Sequence, residues 1–157
     1  MGALEGRIEP DTIDLIWAEG SIYTVGFDSG LALWRGLLRE GGVLACTELA
    51  WLTPEPSDAA RRLWGEGYPA MRSVQANLDA AGETGYASVG HFALPASDWI
   101  DTYYGPLGGR VATLQRKYAG DAEACGVLDK IDAEIDLFRR AGQEYGYIFY
   151  ILRRRGR

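Results

Sequence analysis

Two cysteines, one histidine and no basic excess in 157 residues already exclude several kinds of protein. Cys46 and Cys125 are too few and too far apart for a disulfide framework or a zinc site. Both are expected as buried free thiols in a reducing compartment. With His91 alone, no Ser–His–Asp or Cys–His constellation is available for hydrolysis. His91 falls inside an expected strand without a paired carboxylate, so it reads as a surface or satisfied histidine rather than a base. A formal net charge of −6 argues against a general nucleic-acid binder. The only strongly basic stretch, Arg153–Arg155 with Arg157, reads as a frayed, solubilising end. No apolar run approaches the roughly 20 residues needed to span a bilayer, and no signal-peptide pattern is visible. A soluble cytoplasmic protein is the expectation, with no membrane partner.

Apolar residues at 47% and charged residues at 24% suit one folded domain over 1–157 with a real core. The five Trp, nine Tyr and four Phe are a heavy aromatic load for this length. The chain is best organised around Asp14-Leu15-Ile16-Trp17-Ala18-Glu19-Gly20, four apolar residues behind an aspartate, stopped by a carboxylate and a glycine. That reads as a short buried inner strand at about 13–18, delivering Glu19 to the carboxyl edge of a sheet, where open α/β sheets hold their ligands.

Asp28 or Ser29 can cap a following helix carrying Leu31, Trp34, Leu37 and Leu38 on one face, ended by Arg39-Glu40-Gly41-Gly42. Val43–Glu48 is a second apolar strand, so the pair should be parallel with a right-handed crossover. Ser57 can cap a helix through Leu63 and Trp64, and Tyr68-Pro69 joins it to one with Met71, Val74 and Leu78. Tyr86–Leu94 and Tyr145–Leu152 read as the third and fourth strands. Between them, Ser97 caps a short helix to Tyr104, and a second follows Pro106 with the stripe Leu107, Val111, Leu114 and Tyr118. Asp121 caps a third with Val127 or Leu128, Ile131, Ile135 and Phe138, stopped by Gly142. Both stripes are expected as core.

Asp14–Trp17, Glu19-Gly20, Ile22-Tyr23, Gly26, Gly30-Leu31, Trp34-Arg35, Leu38, Gly41-Gly42, Leu44-Ala45, Glu48 and Trp51 together resemble the class I S-adenosylmethionine-dependent methyltransferases, in their small-molecule branch. The likeness continues through Tyr68-Pro69, Trp99, Asp101, Tyr103, Lys117–Gly120 and Tyr145–Tyr147, nearly the whole chain. It implies a partial Rossmann-like α/β sheet, strands 4-5-7-6 of a family order 3-2-1-4-5-7-6 with strand 7 antiparallel, and a helical insertion or lid at about 97–142. Strands 1 to 3 and the glycine-rich cofactor loop have no counterpart, since no GxGxG-type sequence follows a strand. Met1–Leu4 resembles the segment after strand 3, so the chain reads as the carboxyl-terminal half of such an enzyme, truncated at an internal methionine.

The resemblance implies S-adenosylmethionine as cofactor, with doubtful binding by this chain alone, a small-molecule substrate and no metal. Ala18, Glu19 and Gly20 would line the cofactor's methionine end, Ala18 and Gly20 through backbone and Glu19 through its carboxylate, unless that is merely solvated. Tyr23, Trp51, Tyr103 and Tyr104 would wall off the substrate, or pack the insertion. Tyr68 shares that ambiguity. No catalytic side chain is implied, because in-line methyl transfer mainly needs orientation and exclusion of water. Strand 4 would normally pair with strand 1, so an unpaired edge at 13–18 is expected to form a homodimer or larger assembly. The rival reading is a non-catalytic, self-associating fragment that no longer binds the cofactor.

Overall fold

A computed structural model describes residues 8–156; the expectations placed on Met1–Leu4 and Arg157 lie outside the described residues. One open sheet is formed by β1 (Ile13–Ala18), β2 (Leu38–Trp51), β4 (Tyr86–Ala93) and β5 (Tyr145–Arg154), in the order β1-β2-β5-β4. β2 runs parallel to β1, while β5 is antiparallel to both β2 and β4. The partial methyltransferase-type sheet expected from the sequence is therefore present, with the last strand of the chain inserted between the second and the third. A two-residue strand, β3 (Arg72–Ser73), pairs in parallel with the end of β2 and had no sequence signal.

Helix α1 (Phe27–Leu37) links β1 to β2. Its N-cap is Gly26 at φ 85°, not Asp28 or Ser29. Asp28 lies in the first turn, where a carboxylate favours the helix dipole, and binds Arg72 at 2.7 Å. β2 starts as soon as α1 ends, so Arg39–Gly42 belongs to the strand rather than to a helix stop. Ile13 pairs with Leu38 but Leu15 with Val43, so those residues bulge out of the ladder. A Cβ on Gly42 would stand 2.9 Å from the carbonyl oxygens of Ile13 and Arg39, which admits only glycine there.

The alternation of side chains divides the sheet into two faces. Ala18, Leu44, Cys46, Ile148, Tyr150 and Leu152 pack with Phe27 and Leu31 of α1 and with Val74, Leu78 and Ala81 of α3 (Val74–Glu83). On the other face, Leu49, Trp51, Tyr145 and Tyr147 lie under α2 (Asp58–Gly67) and α6 (Ala122–Ala141). Ser57 caps α2, and Asp121 caps α6 by accepting from Glu123 and Ala124 N–H. Ser73 caps α3, leaving Met71 before the helix rather than on its stripe.

Several expectations need correction. β1 is an edge strand with Leu15 52% and Trp17 62% exposed, because among the described residues it pairs on one side only. No break separates the helices around Pro106: α4 (Ala96–Trp99, N-cap Pro95 instead of Ser97), a π-helical turn at Ile100–Tyr104 and α5 (Gly105–Lys117) follow directly. Pro106 lies in the first turn of α5, the helical position that tolerates it. Of the α5 stripe, Val111 is buried but Leu114 and Tyr118 are exposed, since α6 covers only part of it. The α6 stripe uses Leu128, with Val127 facing solvent. Arg154 is not frayed: it is 8% exposed in β5 and donates to Asp11 and to the Leu38 carbonyl, tying the entry to β1 against the sheet. Cys46 is buried but Cys125 only half-buried; both are free.

Candidate functional site

At the carboxyl ends of β1 and β2 the sheet and the helices enclose a cavity of about 670 Å³. The loop after β1 supplies Gly20 and Tyr23, β2 supplies Leu49, and β5 supplies Tyr147. The α2 end contributes Trp64, Gly67 and Tyr68. The segment from β4 into the π-helical turn contributes Leu94, Asp98, Trp99 and Tyr103, and α6 contributes Glu134. That volume lies within the usual range of small-molecule sites, and half of its lining residues are aromatic.

Local structure explains the positions. Gly20 sits at φ +58°, donates its N–H to Thr47 Oγ1 at 2.7 Å, and would meet nothing within 4 Å with a Cβ. The chain can thus turn sharply off β1 and leave open space beside the cavity. Trp99 stacks on Tyr147 at 5.0 Å and on Phe138 at 5.1 Å, which fixes the wall that α4 brings to the sheet. Tyr104 is not on the cavity lining. It is 2% exposed and donates to Glu134 Oε1 at 2.8 Å, so it holds that carboxylate at the rim. Burial first, then the Glu134 bond and charge, raises the Tyr104 phenol well above its ordinary range, so it remains a donor.

A second carboxylate lies behind this wall. Glu48 is 2% exposed; its Oε1 accepts from the Leu49 N–H at 2.8 Å, while Oε2 is buried without a partner in hydrogen-bond geometry. The Tyr68 hydroxyl is near enough to influence it, yet outside that geometry. Burial lifts the Glu48 carboxyl above the usual carboxylate range, partly opposed by Tyr68, the Leu49 N–H and Arg72. Burial, with the Glu48 charge second, likewise pushes the Cys46 thiol up to about 12, so it stays protonated and unreactive.

Of the residues singled out from sequence, Gly20, Tyr23, Tyr68 and Tyr103 come together on the cavity wall. Ala18 is buried beneath it at 5% exposure. Glu19 is exposed and accepts from Trp17 Nε1 at 3.2 Å. Trp51 ends β2 and meets Tyr145 edge-on at 6.4 Å, outside the lining. Tyr104 acts through Glu134. Trp64, Asp98 and Glu134 carried no motif and were missed; Trp99 and Tyr147 lay within the family-like pattern but had no assigned role. His91 is exposed on β4 and stacks on Tyr150 at 6.3 Å. Among the described residues no cluster of His, Cys, Asp and Glu could hold a metal ion, and no helix is long and apolar enough to cross a membrane.

Comparison with solved structures gives the same architecture. A SAM-dependent methyltransferase from Geobacter sulfurreducens, in complex with S-adenosyl-L-homocysteine, superposes with a TM-score of 0.72 at 18% identity, covering 98% of this chain and 63% of that one. Phosphoethanolamine N-methyltransferase 2 from Haemonchus contortus, in complex with S-adenosyl-L-methionine, gives 0.68 at 11% identity, covering 95% and 35%. The [4+2]-cyclase SpnF gives 0.64 at 16%, covering 93% and 51%. The fold is that of the class I methyltransferases, and this chain spans about a third to two thirds of the structures it matches. No protein-family model and no curated protein matches the sequence.

Proposed function

We propose that the chain supplies the acceptor side of a site for S-adenosylmethionine-dependent methyl transfer to a small molecule. The observation that carries this reading is the aromatic-walled cavity at the carboxyl ends of β1 and β2, where α/β sheets bind ligands. Fold alone would not carry it, since a [4+2]-cyclase shares the architecture.

The residues present fit one end of the cofactor. Gly20, with open space where a Cβ would stand, and Tyr23 leave room for the methionine and sulfonium end beside the cavity. No GxGxG-type loop follows a strand among the described residues, so nothing there matches the nucleoside end. When bound, the sulfonium supplies an electrophilic methyl group. The chain's own part is to hold the acceptor between Tyr23, Tyr68, Trp99, Tyr103 and Tyr147 and to exclude water from it. Calorimetric titration of this polypeptide with S-adenosylmethionine tests the reading: saturable heat is expected, and none at millimolar ligand would sink it for this chain.

A second reading is favoured by one observation, the exposed Leu15 and Trp17 on an edge strand. There the chain is a non-catalytic module that self-associates through 13–18 as a homodimer or larger assembly. Sedimentation velocity decides that point: a concentration-dependent dimer is expected, and a monomer at 100 μM or so ends it.

A further inference from the structure

The cavity has an electrostatic character that its size does not explain. Two carboxylates, Asp98 and Glu134, are on its lining, and no Lys or Arg is among the lining residues. Neither carboxylate forms an ion pair among the described residues. Arg72, beside the end of β2, is turned to Asp28 and Asn77, at 2.7 and 3.1 Å. Behind Tyr68 lies Glu48, whose Oε2 is buried without a hydrogen bond. The remaining wall is rich in electron-rich rings: Tyr23, Trp64, Tyr68, Trp99, Tyr103 and Tyr147.

A neutral apolar guest would be served by aliphatic walls, and an anion would be repelled by these carboxylates. Ring faces attract a cation through their quadrupoles, most strongly where water is excluded, and a carboxylate at the rim adds a directed charge. Tyr104 keeps Glu134 in place for that purpose from the protein side, at 2.8 Å. The same logic makes the walls unsuited to a phosphate or carboxylate group unless it projects out of the cavity.

We propose that this cavity binds an organic ammonium ion, so that the methyl acceptor is an amine that enters as its cation and releases a proton to water before its nitrogen lone pair takes the methyl group and the sulfonium C–S bond breaks, with Glu134 as the charge partner and Trp99, Tyr103 and Tyr147 as the cage. This rests on the reading of the cavity as the acceptor side of a methyl-transfer site. Nitrogen is the acceptor atom whose protonated form these walls select.

The test uses two probes of one shape. Choline carries a quaternary nitrogen; 3,3-dimethyl-1-butanol replaces it with carbon and has no charge. Each is titrated into the full chain and followed by tryptophan fluorescence, since Trp64 and Trp99 are on the wall. Choline is expected to bind saturably and at least about tenfold more tightly than the alcohol, in keeping with the strength of desolvated cation–π contacts. E134Q is expected to weaken choline about three- to tenfold and leave the alcohol unchanged, a selectivity that a merely unfolded variant would not produce. Equal or tighter binding of the neutral alcohol, or loss of both probes to the same degree in E134Q, overturns the proposal. A repeat at saturating S-adenosylmethionine separates the two readings: retained choline binding supports the acceptor assignment, and displacement shows that the cage holds the sulfonium instead. The probe titration contains no cofactor, so failure of cofactor binding leaves the ammonium result standing by itself.

Discussion

Two aromatic regions lie on one face of the same sheet and meet opposite fates. At the carboxyl end of β2, Trp51, Tyr145 and Tyr147 are roofed by α2, α4 and α6, and their rings join Trp64, Trp99, Tyr104 and Phe138 in one packed cluster. A few residues along the same face, Trp17, Phe149 and Phe92 form a second row, with centroids 5.1 and 5.3 Å apart across the four strands β1-β2-β5-β4. No helix covers it among the described residues: Trp17 is 62% and Phe92 52% exposed, and only Phe149, flanked by both, is buried. The comparison teaches that residue type and strand register set which rings are neighbours, while burial depends on which helix crosses above. The roofed row has become a cavity wall; the open row is an exposed apolar surface.

Removing a ring from each row should break the symmetry of that comparison most sharply. Phe138→Ala deletes a side chain that touches Trp99, Tyr104 and Tyr145, and should destabilise the fold by about 3–5 kcal/mol in chemical denaturation. Arg154→Ala removes the donor that joins β5 to Asp11 and the Leu38 carbonyl beneath the sheet. Losing a charged donor to the buried Leu38 carbonyl and the exposed Asp11 carboxylate should cost about 1.5–3 kcal/mol by the same measurement.

Glu48 sharpens the contrast from another side, because it is a buried charge beneath the roofed row. A carboxyl raised in the fold is protonated more readily there than in the unfolded chain. Its unfavourable contribution is therefore absent below its ordinary value near 4.5 and grows as pH rises from there through the raised value. Glu48→Gln is expected to leave stability unchanged at pH 4 and to increase it at pH 8 by about 1–3 kcal/mol, read as unfolding midpoints at the two pH values. A decrease at pH 8 would mean that the carboxylate is satisfied after all.

The smallest effect on stability belongs to the open row. Trp17→Arg should change unfolding free energy by no more than about 0.5 kcal/mol, as for surface positions generally. It should nevertheless abolish any concentration-dependent association seen by sedimentation. A large stability loss would instead indicate that something covers Trp17 in solution.

Much of the sheet could be read from residues alone. Asp14–Trp17 and Val43–Glu48 declare themselves by short apolar runs, Tyr86–Leu94 by alternation, and Ser57 and Asp121 by cap chemistry, all local signals. The extended β2 was less legible, because Arg39–Gly42 looks like a helix terminus and is instead a bulge held by the approach of Ile13. The site was half-legible. Gly20, Tyr23, Tyr68 and Tyr103 were found through the methyltransferase-like pattern, whereas Asp98 and Glu134 resemble any solvated helix carboxylate until the fold sets them on one cavity.

The sequence by itself determined where most of the strands and helices lie and that the first two strands run parallel, since hydrophobic period, caps and connection length act over a few residues. Only the tertiary structure decided that β5 enters between β2 and β4, that Arg154 is a buried tie, and that six rings and two carboxylates share one cavity. Those outcomes depend on contacts between segments as much as 143 residues apart, whose geometry no local pattern encodes.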